Sequence, residues 1–152
     1  MSAGDTLLTT AQRDVLRAIA AEIIPASPEF DVPGADDPAI QADIVATLGR
    51  DAGLVRDALD QLAPLAGRSL ASLDPARRKA AAMELQASGG AAVATLTRVV
   101  LQCYYRDDRV LRSLGLEPRP PYPKGHVLED GDWSLLDPVR VRPPMWRRAE
   151  PR

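Results

Sequence analysis

A chain of 152 residues, 45% of them apolar, is about one domain long and can bury a real core. Its formal net charge of -2 and pI near 5.4 supply no general basic field, which removes broad nucleic-acid binding as the default expectation. The single cysteine, Cys103, excludes an internal disulfide and any multi-cysteine metal site, and it points to a reducing compartment.

Thr9 and Gln12 have the spacing of a capping box. Leu16, Ile19, Ala20 and Ile23 then recur on one helical face until Pro25, which predicts a first helix over about residues 10–24. Pro25 to Pro38 holds four prolines and Gly34 and reads as loop. Asp37 before Pro38 is a cap followed by a first-turn proline, and Ile40, Ile44 and Leu48 place a short helix behind it. Asp51 is positioned to cap a third helix with Leu54, Ala58, Leu59, Leu62 and Leu65 as its inner stripe and Gly67 as its end. Asp74-Pro75 repeats the cap-plus-proline start, ahead of an alanine-rich helix to Ala87. Past Gly89-Gly90, Val93, Leu96, Val100, Cys103 and Tyr104 are spaced as the inner face of a helix from Ala91 to Arg106. Val99 widens that face, and this is the expected central helix. Asp107 or Asp108 caps a last short helix through Leu114, with Gly115 at C′. With no strand-like alternation and no internal repeat, residues 1–115 read as an all-α body, a compact bundle of five to six helices.

Residues 116–152 read as an extended proline-rich tail holding eight of the 14 prolines and both tryptophans. Fixing a backbone costs about 1–2 kcal/mol per residue, so ordering this tail costs roughly 40–70 kcal/mol, and the body has little spare surface to offset that. Disordered segments are poor in aromatics, whereas Trp and Arg are frequent binding anchors. The tail carries Trp133, Trp146, Arg140, Arg142, Arg147 and Arg148, so it is expected to lie along a partner protein. Between Arg140 and Arg152 five arginines face one acid, Glu150, which also suits phosphate, an anionic membrane or an acidic protein surface. The alternative class is therefore a free-standing helical adaptor whose basic tail binds nucleic acid or anionic lipid, recognisable by strong salt dependence.

Catalytic chemistry is hard to place. His126, the only histidine, lies between Gly125 and Val127 in the tail with no Ser or Cys constellation beside it, so a surface or interface role is expected. Cys103, on an inner stripe, reads as a buried thiol. Glu129-Asp130-Gly131-Asp132 faintly resembles a calcium loop but lacks the later acidic ligands. Asp107-Asp108 reads as capping before acid/base work. Gly89-Gly90 follows a helix and not a strand, the wrong context for a phosphate loop. Adjacent helical residues diverge by about 100°, so Tyr104 is expected to face the core and Tyr105 to face outward, available to the tail or a partner. No catalytic, cofactor-binding or metal-binding residue is assigned. An accessory protein is the expectation.

Four stretches, in order, resemble the gluconate 2-dehydrogenase subunit 3 family. They are Leu8-Thr9 with Gln12, Leu16 and Ile23-Ile24-Pro25; Pro33-Gly34-Ala35; Leu70, Leu73-Asp74-Pro75 and Arg78; and Tyr104-Tyr105-x-Asp107 with Val110, Leu114-Gly115 and the proline run to Tyr122-Pro123. Cys103 stands where the family pattern often has glycine. The resemblance implies a helical, non-catalytic small subunit that binds and supports a large FAD-dependent flavoprotein of the glucose–methanol–choline type, acting on a sugar, polyol or glycoside hydroxyl. FAD is then expected in the partner subunit and not in this chain. Many such small subunits supply a twin-arginine leader. Met1 to Asp5 show no basic region, twin arginine or apolar stretch, and no segment approaches a membrane span, so a cytoplasmic partner is expected, or a periplasmic one if a leader was removed or the partner carries the export signal. Neither nucleic-acid binding nor direct membrane insertion is expected on this reading. Tyr105, Tyr122, Trp133 and Trp146 are the expected anchors, with Arg140, Arg142, Arg147 and Arg148 meeting carboxylates at the rim.

Overall fold

The computed structural model describes residues 7–66, 70–120, 122–127, 129–143 and 145. The chain divides into two units, residues 1–118 and 119–152.

The first unit contains six α-helices among its described residues, within the expected five to six. Helix α1, Thr10–Ile23, starts with the capping box: Gln12 N–H donates to Thr9 Oγ1 at 3.2 Å, and Thr9 N–H donates to Gln12 Oε1 at 3.1 Å. It buries Leu16, Ile19 and Ala20. The loop behind it folds back, with Ala35 N–H donating to Ile24 O at 2.9 Å and Ser27 and Val32 forming one antiparallel bridge. A side chain at Gly34 would come within 2.9 Å of the Ala26 nitrogen and 3.3 Å of Ile24 O, so this fold-back requires glycine, and it seals Ala35 in the core.

Helix α2, Pro38–Thr47, has Asp37 as its cap, accepting from Ala39 N–H at 2.9 Å, and buries Ile40 and Ile44, with Leu48 beyond its end. Helix α3, Ala52–Ala66, differs in detail from expectation. Asp51 sits in a 3-10 turn, Gly49–Asp51, and its Oδ2 receives Arg98 Nη2 at 2.8 Å. Leu54 is exposed, and the inner stripe is Ala52, Val55, Ala58, Leu59 and Leu62. Ala58, Leu59 and Leu62 are buried as expected, and the difference is confined to the start of the helix, where Ala52 and Val55 are covered in place of Leu54. The side chain of Leu65, and Gly67, lie outside the described residues.

Helix α4, Pro75–Ser88, is capped by Asp74, which accepts from Arg77 N–H at 3.0 Å, and buries Ala81 and Leu85. Gly89, at φ 63°, ends α4 and opens helix α5, Gly90–Tyr104. This φ is one that L side chains rarely adopt, so the junction selects glycine. All of the residues expected on the inner face of α5 are buried: Val93, Leu96, Val99, Val100, Cys103 and Tyr104. Helix α5 packs against α1, α2, α3 and α4 and is the central helix. Fully burying aliphatic side chains stabilises by about 1.5–3 kcal/mol each, so this face is the main source of the body's cohesion.

Helix α6, Asp108–Ser113, is capped by Asp107 through Arg109 N–H at 2.9 Å and buries Val110. It ends in a Schellman arrangement: Leu116 N–H donates to Leu111 O at 2.9 Å and Gly115 N–H to Arg112 O at 3.0 Å, with Gly115 at φ 73°. In the second unit, a 3-10 turn, Trp133–Leu136, runs directly into a single α-helical turn, α7, Asp137–Arg140. Among the described residues no helix is long and apolar enough to cross a membrane, and the regular structure is helical throughout.

Candidate partner-binding surface

In the first unit the expected anchor Tyr105 is the C-cap residue of α5. Tyr104 is buried and Tyr105 half exposed, their rings meeting edge to face at 5.2 Å and 89°. Burial pushes the Tyr104 phenol above its ordinary range. The backbone holds Tyr105 on both sides: its N–H donates to Leu101 O at 2.9 Å, and Asp107 N–H donates to Tyr104 O at 3.1 Å. An aromatic ring thus projects to solvent from a fixed point, which lowers the ordering cost of using it as an anchor.

Below Tyr105 the helix ends are tied by two arginines. Arg109 donates from Nη1 and Nη2 to both oxygens of Asp37, at 3.0 and 2.8 Å, and from Nε and Nη2 to both oxygens of Asp107, at 3.0 and 2.9 Å. One guanidinium therefore joins the caps of α2 and α6. It holds both carboxyls below the ordinary aspartate range against the opposing effect of burial, and its own pKa rises in return. Arg106 Nε donates to Asp43 Oδ2 at 2.7 Å and Nη2 to Thr47 Oγ1 at 3.3 Å, tying α5 to α2. Cys103 lies beneath this pair with Thr47 Oγ1 at 3.5 Å from its sulfur, and burial pushes its thiol up. Asp107 is the cap of α6 and also pairs with Arg109, while Asp108 lies in the first turn and pairs with Arg112. The sequence reading missed Asp37–Arg109 and Asp43–Arg106 as pairs, because their members are 72 and 63 residues apart and no local spacing links them.

A further depression of about 260 Å³ runs between α1, α4 and α5, lined by Ile19, Ile23, Met83, Leu85, Val93 and Leu96 among others. Among the described residues, no three His, Cys, Asp or Glu side chains converge where a metal ion could sit.

In the second unit Tyr122, His126 and Trp133 are exposed, as are Arg140 and Arg142. Arg140 Nη1 donates to Asp137 Oδ1 at 3.1 Å. Trp146, Arg147 and Arg148 lie outside the described residues. The acidic run 129–132 ends in a cap: Asp132 Oδ1 accepts from Ser134 N–H at 3.0 Å and Ser134 Oγ at 2.6 Å, which holds its carboxyl below the usual range. The helical stretch behind that cap brings forward Leu135, Leu136 and Val139, all exposed, which the sequence reading passed over. Two local signals mark it: the Asp132-x-Ser134 spacing, and the dipeptide Asp137-Pro138, which recurs from the starts of α2 and α4 but here lies inside the helical turn.

Neither a protein-family model, nor a curated protein, nor a solved structure matches this chain.

Proposed function

We propose that this chain is the non-catalytic small subunit of a heteromeric FAD-dependent oxidoreductase of the glucose–methanol–choline type, acting on a sugar, polyol or glycoside hydroxyl. It binds and stabilises the catalytic flavoprotein, which carries the FAD and the catalytic groups. The carrying observation is the contrast between the two units: a body that buries most of its large apolar side chains, and a tail whose described aromatic and large aliphatic side chains are all exposed. Exposed apolar side chains gathered in one segment mark interaction sites more often than isolated ones do.

The residues that carry the resemblance also have structural work in the body. Thr9 and Gln12 cap α1, Gly34 permits the fold-back, Asp74 caps α4, and Arg78 joins α4 to Glu22 of α1 at 3.2 Å. Tyr105 and the tail residues Tyr122, Trp133, Arg140, Arg142, Trp146, Arg147 and Arg148 are the proposed contacts, and the cytoplasm is the proposed compartment.

The test is purification of the chain from its source cells at native abundance, with a visible spectrum and intact-mass analysis of what accompanies it. A second, larger chain with flavin absorption supports the reading. A colourless single chain overturns it, and binding to a generic polyanion that collapses with salt would put the adaptor in its place. Deleting residues 124–152 is expected to weaken the complex while leaving the body's helicity intact.

A further inference from the structure

We infer that residues 132–141 form a capped helical docking motif that seats Trp133, Leu136 and Val139 in an apolar groove of a protein partner, basic at the end that meets residues 129–132 and acidic at the end that meets Arg140 and Arg142. The inference rests on the small-subunit reading for the partner's identity: the groove belongs to the flavoprotein.

The geometry follows from the two helical forms joined here. A 3-10 turn has three residues per turn, so Trp133 and Leu136 are eclipsed on one side. Continuing at about 100° per residue, Val139 falls about 60° from that line, and Leu135 flanks it on the same edge. Ser134, Asp137 and Pro138 take the opposite side. Trp133, Leu135, Leu136 and Val139 are 69%, 73%, 41% and 53% exposed, a continuous apolar stripe on eight residues of helix. Helical anchors spaced about three residues apart are how an amphipathic segment enters a groove.

Local contacts favour the helical form of this segment. Asp132 caps its start through Ser134, Pro138 sets the first turn of α7, and the Arg140–Asp137 pair spans that turn. A segment held in its bound shape loses less entropy on association.

Charge selects the kind of partner. Across 129–142 the acids are Glu129, Asp130, Asp132 and Asp137, and the bases are Arg140 and Arg142. The segment's acidic start and basic end suit a protein rim of the reverse order.

The experiment compares full-length variants for affinity to the flavoprotein chain separated from the purified complex. Trp133→Ala is expected to weaken binding at least about 30-fold and Leu136→Ala about tenfold, with Trp133→Phe restoring most of the loss. Asp132→Ala, which removes the cap, is expected to cost about fivefold. Val127→Ala and Met145→Ala, exposed tail positions off the stripe, are expected to stay within about twofold. Wild-type affinity for Trp133→Ala and Leu136→Ala, with binding lost on deletion of 124–152, overturns the helical motif and leaves the small-subunit reading standing. Absence of any flavoprotein overturns that reading and this partner with it. Trp133-dependent doubling of mass in light scattering, or Trp133-dependent binding to phosphatidylserine vesicles, would assign the stripe to a second copy or to lipid and overturn the protein groove.

Discussion

Replacing Arg109 with methionine keeps the aliphatic stem and removes the guanidinium that joins the caps of α2 and α6. The side chain of Arg109 is 44% exposed, while those of Asp37 and Asp107 are 19% and 15% exposed. Breaking a fully buried ion pair costs about 3–5 kcal/mol, and an exposed pair contributes about 0.2–1 kcal/mol. Four hydrogen bonds to two mostly covered carboxylates, discounted for the exposed guanidinium, place the loss near 2 kcal/mol. Both carboxylates keep their backbone caps, so α2 and α6 still form. Urea unfolding followed by far-UV circular dichroism measures the loss, which corresponds to a fall in Tm of roughly 8 °C for a body of this size. Because Arg109 lowers the folded-state pKa of Asp37 and Asp107, their contribution is complete above the unfolded value near 3.9 and disappears as pH falls through the lowered folded values. The gap between wild type and Arg109→Met is therefore full at about pH 7, holds to about pH 4 and closes below it. A gap under about 0.5 kcal/mol at neutral pH, or one that persists unchanged in strong acid, would refute the clamp.

Leu96→Ala removes a fully buried side chain from the middle of α5 and is expected to cost about 2–5 kcal/mol in the same unfolding experiment. Asp74→Ala is expected to lose about 1 kcal/mol by deleting the cap of α4, whereas Asp74→Asn, which still accepts from Arg77 N–H, should come within a few tenths of wild type. Cys103 is buried and its thiol is pushed up by that burial, so alkylation of the native protein should run at least about 100-fold slower than in denaturant. Rapid native labelling would show that α5 opens locally at its C-terminal end.

Most of the body was legible because its instructions are local. Thr9 with Gln12, Asp37-Pro38, Asp74-Pro75 and Asp107 act on backbone groups within three residues, and each caps the helix expected of it. The α5 stripe was equally readable, since a helix surrounded by four others buries a wide face and tolerates a small error in its direction. Helix α3 shows the limit of that argument. Leu54 and Val55 are neighbours of similar hydrophobicity, and only the packing of the other helices around α3 decides which of them is covered. In the tail the helical start is Asp132-x-Ser134, a spacing that ordinary turns share, so the stripe of Trp133, Leu136 and Val139 does not stand out by local pattern.

Sequence alone determined the starts of α1, α2, α4 and α6, that Tyr104 turns inward while Tyr105 turns out, and that both tryptophans lie in the tail, because these depend on spacings of one to four residues or on position in the chain. Tertiary structure decided which acid meets which base. Asp51 pairs with Arg98, Asp43 with Arg106, and Asp37 and Asp107 share Arg109. A charge on the chain attracts every opposite charge that can reach it, and only the packing of the helices, driven by non-directional burial of apolar surface, brings one chosen pair within hydrogen-bonding distance.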